Sequence, residues 1–262
     1  MDEATSVKFR IDKGMTTKEI ADNLYDMGLI ENKTIYRFLS KFNGFDGEYK
    51  VGTYTLCDGL TYEPETVKVT FPEGFTTQQI ATRLEVNNVV TAEEFLNALE
   101  TIDVSQYTFL NDITGKTRDH RLDGYLFPDT YEFDVKANVE DVIYKMLNRF
   151  NELYLPAYYE KAEAAGLTVD EVVILASIVE REAKLNSDRP KIAGVFINRM
   201  NSEDASLKKM QSCATIRYVF KKLYNKDVIK ITEEHEKEDD PYNTYMYEGL
   251  TPGPICSPGI ES

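Results

Sequence analysis

Two stretches of the chain, 60 positions apart, carry the same pattern. Residues 11–24 read Ile-Asp-Lys-Gly-Met-Thr-Thr-Lys-Glu-Ile-Ala-Asp-Asn-Leu, and residues 71–84 read Phe-Pro-Glu-Gly-Phe-Thr-Thr-Gln-Gln-Ile-Ala-Thr-Arg-Leu. Each copy opens on alternating apolar residues: Val7, Phe9 and Ile11 in one, Val67, Val69 and Phe71 in the other. That is the period of a half-buried strand. Gly14 and Gly74 supply a turn. Thr16 and Thr76 are N-caps, and Glu19 and Gln79, three residues on, complete capping boxes. Ile20, Ala21 and Leu24, and likewise Ile80, Ala81 and Leu84, give each following helix one apolar face. A second helix follows in each copy, around Phe38 and Leu39 in one and around Phe95, Leu96 and Leu99 in the other. Thr91 and Glu94 form a capping box at the start of the latter. Residues 49–56 alternate as a strand and close the first unit. The fold class is α+β, opened by a duplicated strand-turn-helix module that serves either as scaffold or as a sugar- or peptide-binding unit.

Composition narrows the function. The 262 residues suffice for one large domain or two modest ones. With 45 acidic against 30 basic residues the net charge is −15. Such a surface repels phosphate backbones and anionic headgroups, which argues against nucleic-acid binding and polybasic membrane docking. His120 and His235 lie far apart, and Cys57, Cys213 and Cys256 form no close pair. This leaves no zinc-ligand spacing, no CxxC motif and no disulfide framework. The longest apolar run, 172–179, is broken only by Ser177. It is far short of the roughly 20 residues of a membrane-spanning helix. Met1-Asp2-Glu3 lacks the basic start and apolar core of a signal peptide. Gly115-Lys116-Thr117 is no P-loop, because Leu110 stands where the first glycine is needed.

Three segments of the second half carry the chemistry. Residues 122–131, Leu-Asp-Gly-Tyr-Leu-Phe-Pro-Asp-Thr-Tyr, form an ordered loop, since Pro128 lacks a donor and restrains Phe127. The loop is either a structural turn or a cleft wall, with Asp129 accepting local backbone hydrogen bonds. There are 17 Tyr and no Trp, so any sugar stacking falls on Tyr or Phe.

The second segment, 168–183, begins with a capping box of Thr168 and Glu171 and is apolar nearly all round, as a buried helix is. Glu180 stands at its end, one turn after Ala176 and Ser177. A carboxyl there loses water, which favours its protonated form, the form a general acid needs. The alternative is an exposed ion pair with Lys184 at i+4. Glu182 points to another face. The third segment, 240–259, holds four prolines and three glycines that fix an extended loop. Asn243 and Thr244 offer polar groups there, and Tyr242 and Tyr245 offer ring faces. Between the second and third segments, 195–200 and 210–216 read as core, with Asn198, Gln211, Ser212 and Thr215 as their polar positions.

As an ordered set these motifs resemble the YceG-like (MltG-type) family of endolytic murein transglycosylases. The matching pieces are Glu-Gly-Phe-Thr at 73–76, Gly-Tyr-Leu-Phe-Pro-Asp-Thr-Tyr at 124–131 and Ala-Ser-Ile-Val-Glu at 176–180. Phe-Ile-Asn-Arg-Met at 196–200, Pro-Tyr-Asn-Thr-Tyr at 241–245 and Gly-Leu-Thr-Pro-Gly-Pro-Ile at 249–255 complete the set. The resemblance implies a LysM-like module at 1–62, a second strand-turn-helix module at 63–118, and a YceG-like α+β catalytic domain at 119–262. It also implies a single-pass anchor upstream, work on the outer face of the cytoplasmic membrane, and a further catalytic segment after Ser262. Three features depart from the family pattern: Asp123 where Glu is usual, Cys213-Ala214 where a pair such as Asp-Pro is common, and a short stretch from Tyr54 to Val69.

The implied reaction is a lyase reaction on nascent peptidoglycan, cut between N-acetylmuramic acid and N-acetylglucosamine, with Glu180 as the catalytic residue. Glycosidases ordinarily use two carboxylates. A lytic transglycosylase needs one, because the muramic acid's own C6 hydroxyl attacks intramolecularly. Glu180 then acts first as acid and next as base, with no metal and no cofactor. Asn198, Gln211, Asn243 and Thr244 are candidates for stabilising the charge at the anomeric carbon or holding the N-acetyl group, joined by Ser212 and Thr215. Tyr125, Tyr131, Tyr242 and Tyr245 would line the groove, and Asp129 orients a loop or touches substrate. The partners are glycan strands and cell-wall synthases. Two other classes stay open: a non-catalytic peptidoglycan-binding or scaffold protein of the wall-synthesis machinery, and a cytosolic adaptor built on the duplicated module.

Overall fold

A computed structural model describes residues 7–42, 47–56, 63–113, 118–205 and 207–262. Met1 to Glu3, Cys57 and Gly115-Lys116-Thr117 lie outside the described residues.

The first copy of the repeat builds β1 (Val7–Ile11), α1 (Thr17–Asp26) and α2 (Lys33–Phe42). The strand expected at 49–56 is β2 (Gly52–Leu56). It runs antiparallel to β1, with Val7 opposite Leu56 and Ile11 opposite Gly52, and β3 (Glu63–Pro64) adds to its other side. Phe9, Ile11, Ile20, Leu24 and Tyr54 fill a small core of their own.

The second copy builds β4 (Thr66–Thr70), α3 (Thr77–Val86) and α4 (Ala92–Thr101). The capping boxes at Thr16, Thr76 and Thr91 all form as the spacing predicts. The two copies differ in their strand partners. β4 pairs antiparallel with β5 (Thr130–Asp134), the strand that ends the 122–131 motif, with Val69 opposite Tyr131. Among the described residues the remaining α-helices, in chain order, are α5 (Val139–Leu153), α6 (Pro156–Ala164), α7 (Val169–Glu182), α8 (Arg189–Met200) and α9 (Cys213–Tyr224).

One core joins the second copy to the 122–131 loop and to α5. Phe71, Ile80, Phe95, Phe109, Tyr125 and Met146 are all fully buried in it. Each such side chain contributes about 1.5–3 kcal/mol by leaving water. The β4–β5 sheet and this core both run across the division expected at 118/119. A second core, around Ile178, Val179, Phe196, Ile216 and Val219, packs α7 against α8 and α9. Val169 and Val173 belong to the first core, and Ile174, Leu175, Ile178 and Val179 to the second. The all-round apolar pattern of α7 therefore has a simple cause: the helix is the wall between two cores.

Asp123 ties the second copy to the 122–131 loop. It is buried, its Oδ1 accepts the Thr77 hydroxyl at 2.5 Å, and its Oδ2 accepts the His120 N–H at 3.0 Å. Burial pushes its carboxyl up to about 6, against the hydrogen bonds, which lower it. The folded chain thus holds this proton more tightly than the unfolded chain does. The resulting stabilisation is fully present below about pH 4 and is lost as pH rises through 6. Asp123→Asn keeps the acceptor for His120, and the Thr77 hydroxyl turns to accept. We expect this variant to exceed the wild type in stability by about 1–3 kcal/mol at pH 8 and to lose that advantage at pH 4.5. Urea titrations at the two pH values measure it; an equal difference at both would contradict the assignment.

Candidate active site

Glu180 stands in the last turn of α7, ahead of the C-cap Ala183. Its side chain is 8% exposed. The carboxylate is not left among apolar neighbours, as its surroundings in sequence suggested, nor paired with Lys184. Oε1 accepts from Arg189 Nη2 at 3.1 Å, and Oε2 accepts from the Gly259 N–H at 3.1 Å and the Ser262 hydroxyl at 2.8 Å. Arg189 opens α8, with Pro190 in the first turn, and its side chain is 9% exposed. Its Nε and Nη1 are buried without a hydrogen-bond partner among the described residues.

The turn of the second repeat copy forms one wall of this site. The Gly74 N–H donates to the Ser257 carbonyl at 2.9 Å, and the Ser257 N–H donates to the Phe75 carbonyl at 2.8 Å. Arg181 Nη1 donates to the Gly74 carbonyl at 3.3 Å. Gly74 takes φ +79°, a left-handed conformation that favours glycine. Glu73 lies against Gly259 so closely that a Cβ at 259 would overlap its carboxylate, and its Oε2 is 3.9 Å from Arg189 Nη2. Partial burial and the charge of Glu180 push the Glu73 carboxyl above its ordinary value, while Arg189 opposes the shift.

Glu73 and Arg189 were not among the expected site residues. One signal for Glu73 was present in the repeat: beside the shared turn glycine, Lys13 of the first copy is replaced by Glu73 in the second, a reversal of charge. A position that breaks a shared pattern beside the turn is a place to look for function. Ser177, the one interruption of the apolar run, anchors the C-terminal loop. Its hydroxyl donates to the Ile174 carbonyl at 2.7 Å and accepts the Ile255 N–H at 3.0 Å.

The other expected residues divide into tied and open ones. Glu182 does face elsewhere: its Oε1 accepts the Ser212 hydroxyl at 2.5 Å and the Ala214 N–H at 2.9 Å, at the N-terminus of α9. A carboxylate is favoured there by the helix dipole. Thr244 Oγ1 accepts the Ser212 N–H and bonds Thr215 Oγ1 at 2.9 Å, and the Thr244 carbonyl accepts the Gln211 N–H. The Asn243 amide donates to the carbonyls of Glu236 and Glu238 and accepts the Tyr245 N–H. Asn243, Thr244, Ser212 and Thr215 are thus buried and committed to one another and to nearby backbone. Asn198 and Gln211 are exposed.

Three of the four tyrosines expected in a groove pack inside, because their hydroxyls find internal partners. Tyr125 donates to Asp170 Oδ1 at 2.9 Å, Tyr131 donates to the Phe127 carbonyl at 2.7 Å, and Tyr242 accepts the Asp119 N–H at 3.3 Å. Tyr245 is half-buried beside Cys213, with hydroxyl and sulfur 3.3 Å apart. Asp129 orients its loop: Oδ2 accepts Arg149 Nε at 2.7 Å, and its carbonyl accepts the Phe71 N–H. Arg118, Ile174, Lys222, Tyr242, Leu250 and Pro252 help line a cavity of about 580 Å³. It lies against the N-terminal half of α7, with Ile174 six residues before Glu180, a rise of about 9 Å.

Residues 9–262 match the model of the YceG-like family. The endolytic murein transglycosylase of Streptococcus pneumoniae strain D39 is 31% identical over 96% of this chain. That of Bacillus subtilis strain 168 is 31% identical over 100% of it. The chain spans 50% of the pneumococcal relative's length and 75% of the Bacillus one's. The crystal structure of a yceG-like protein from Listeria monocytogenes superposes with a TM-score of 0.62 at 28% identity, covering 98% of this chain and 88% of that one.

Proposed function

The chain belongs to the YceG-like family, and on that premise we propose that it is an endolytic murein transglycosylase with Glu180 as its acid and base. The observation that carries the reading is the Glu180 carboxylate. It ends the Ala-Ser-Ile-Val-Glu motif, is nearly buried, and is held in place by Arg189, Gly259 and Ser262.

The reaction balances with one carboxyl group. Protonated Glu180 donates to the glycosidic oxygen between N-acetylmuramic acid and N-acetylglucosamine as the C1–O bond breaks. The muramic C6 oxygen then bonds to C1, and its proton goes to the Glu180 carboxylate. The products are a free C4 hydroxyl on N-acetylglucosamine and a 1,6-anhydro-muramyl end. No water enters, because the attacking hydroxyl is already attached to the reacting ring and has a high effective concentration. Asn198, Gln211 and Tyr245 are the expected residues that remain open to a glycan.

We assign residues 1–62 as a LysM-like module and read the glycan strand as the partner. The expected single-pass anchor upstream, action on the outer face of the cytoplasmic membrane and pairing with cell-wall synthases belong to the same proposal. The test incubates uncrosslinked glycan strands with the chain and with Glu180→Gln. We expect 1,6-anhydro-muramyl ends, identified by mass spectrometry, from the wild type alone. Glycan retention without product from either would favour a binding protein of the wall-synthesis machinery.

A further inference from the structure

Glu180 has a second carboxylate for a neighbour, and one guanidinium lies between them. Arg189 Nη2 is 3.1 Å from Glu180 Oε1 and 3.9 Å from Glu73 Oε2. Among the described residues, Arg181 of α7, bonded to the Gly74 carbonyl, and Glu261 of the C-terminal stretch also lie near this pair. Burial pushes the thiol of Cys256 up, which keeps it neutral. Two cations thus face three carboxylates. Like charges at close range oppose each other's ionisation, so such a group retains one proton more readily than separate carboxylates do.

The proton has a preferred seat. Glu180 accepts three hydrogen bonds, whereas among the described residues Glu73 has only the longer arm to Arg189, and it is 47% exposed. Donors favour the ionised form of the group they serve. Partial burial and the charge of Glu180 push the Glu73 carboxyl above its ordinary value, so of the two Glu73 is the one set to take up a proton in the free protein. Arg189 is placed to exchange partners. Its Nε and Nη1 make no hydrogen bond among the described residues, and a shift of 0.8 Å brings the longer arm to the length of the shorter.

We infer that Glu73 and Glu180 work as a pair sharing one proton, with Arg189 turning to whichever carboxylate is ionised. Glu73 is then a positioning residue that lets Glu180 become the acid. The inference rests on the reading of Glu180 as acid and base. As the substrate covers the site, the proton passes from Glu73 to Glu180 and the guanidinium turns to Glu73. Glu180 spends that proton on the glycosidic oxygen and recovers one from the C6 hydroxyl. The pair ends with the proton count it began with. The first copy of the repeat has Lys13 at the matching position, and Gly259 leaves the space that the Glu73 carboxylate occupies. The carboxylate is thus an addition to the module at the copy that meets α7.

The test is the pH profile of kcat/KM for anhydro-end formation by wild type, Glu73→Gln and Glu73→Asp, between about pH 4.5 and 9. The alkaline limb reports loss of the protonated acid. Glu73→Gln removes the neighbouring negative charge and leaves Glu180 wholly to Arg189, so this limb moves to lower pH. We expect a roughly five- to tenfold loss at pH 8 that shrinks below about twofold near pH 5.5. Glu73→Asp keeps the charge and the wild-type limb. An active wild type with a Gln profile that is unchanged, or scaled equally at every pH, overturns the proton-sharing pair alone. A Gln variant that melts early, beside an Asp variant whose limb has also moved, likewise overturns it. Absence of anhydro ends from the wild type overturns the transglycosylase reading, and the pair with it.

Discussion

Glu180→Gln should lower the rate of strand cleavage by about 10³-fold and leave the chain folded. Positioned proton transfer contributes about 10²–10⁴ in rate, and an amide performs neither the donation nor the return. The structural cost is small. The amide oxygen can face Arg189, and the Ser262 hydroxyl can turn to accept from the new N–H groups. The Gly259 N–H then meets a donor where it met an acceptor, which costs about 1–2 kcal/mol. A melting curve close to that of the wild type, beside a rate near background, is the expected pair of results. A variant that keeps more than a tenth of the activity would remove Glu180 from the chemistry.

The largest stability loss is expected from Asp170→Ala. Asp170 is 0% exposed at the start of α7, and Arg118, with a side chain 3% exposed, donates to both of its oxygens at 2.9 and 2.7 Å. The Tyr125 hydroxyl donates to it as well. Truncation leaves a buried guanidinium and a buried phenol without the carboxylate that serves both, and removes a negative charge favoured at a helix N-terminus. Breaking one side of a buried ion pair costs about 3–5 kcal/mol, a large part of the 5–15 kcal/mol that holds a typical domain together. The urea midpoint should fall sharply with an unchanged slope. A loss under about 1 kcal/mol would mean that Arg118 finds water or another acceptor when Asp170 is gone.

What the sequence made legible was local. The four capping boxes, at Thr16, Thr76, Thr91 and Thr168, need only residues three apart, and all of them form. The apolar α7 comes from composition within 14 residues. What escaped depends on pairings across the chain. No periodicity reveals that β4 takes its partner from 60 residues downstream instead of within its own copy. Aromatic residues satisfy a groove and a core equally well in a one-dimensional reading. Tyr125 became core because Asp170, 45 positions away, offers its hydroxyl an acceptor. Glu180 could be singled out from its helix, but its partners Gly259 and Ser262 lie 79 and 82 positions on. Arg189 looked like an ordinary basic residue at the start of α8, and Glu73 like part of a turn. Their meeting is a property of the fold.

In the proposed mechanism the nucleophile is the substrate's own hydroxyl. Digestion of uncrosslinked glycan strands in H₂¹⁸O, with mass spectrometry of the new muramyl ends, distinguishes this hydroxyl from water. Intramolecular attack gives ends that are lighter than a reducing end by one water and carry no ¹⁸O, and these are the expected product. Reducing ends bearing one ¹⁸O would show that water attacks, and would make the chain a hydrolase.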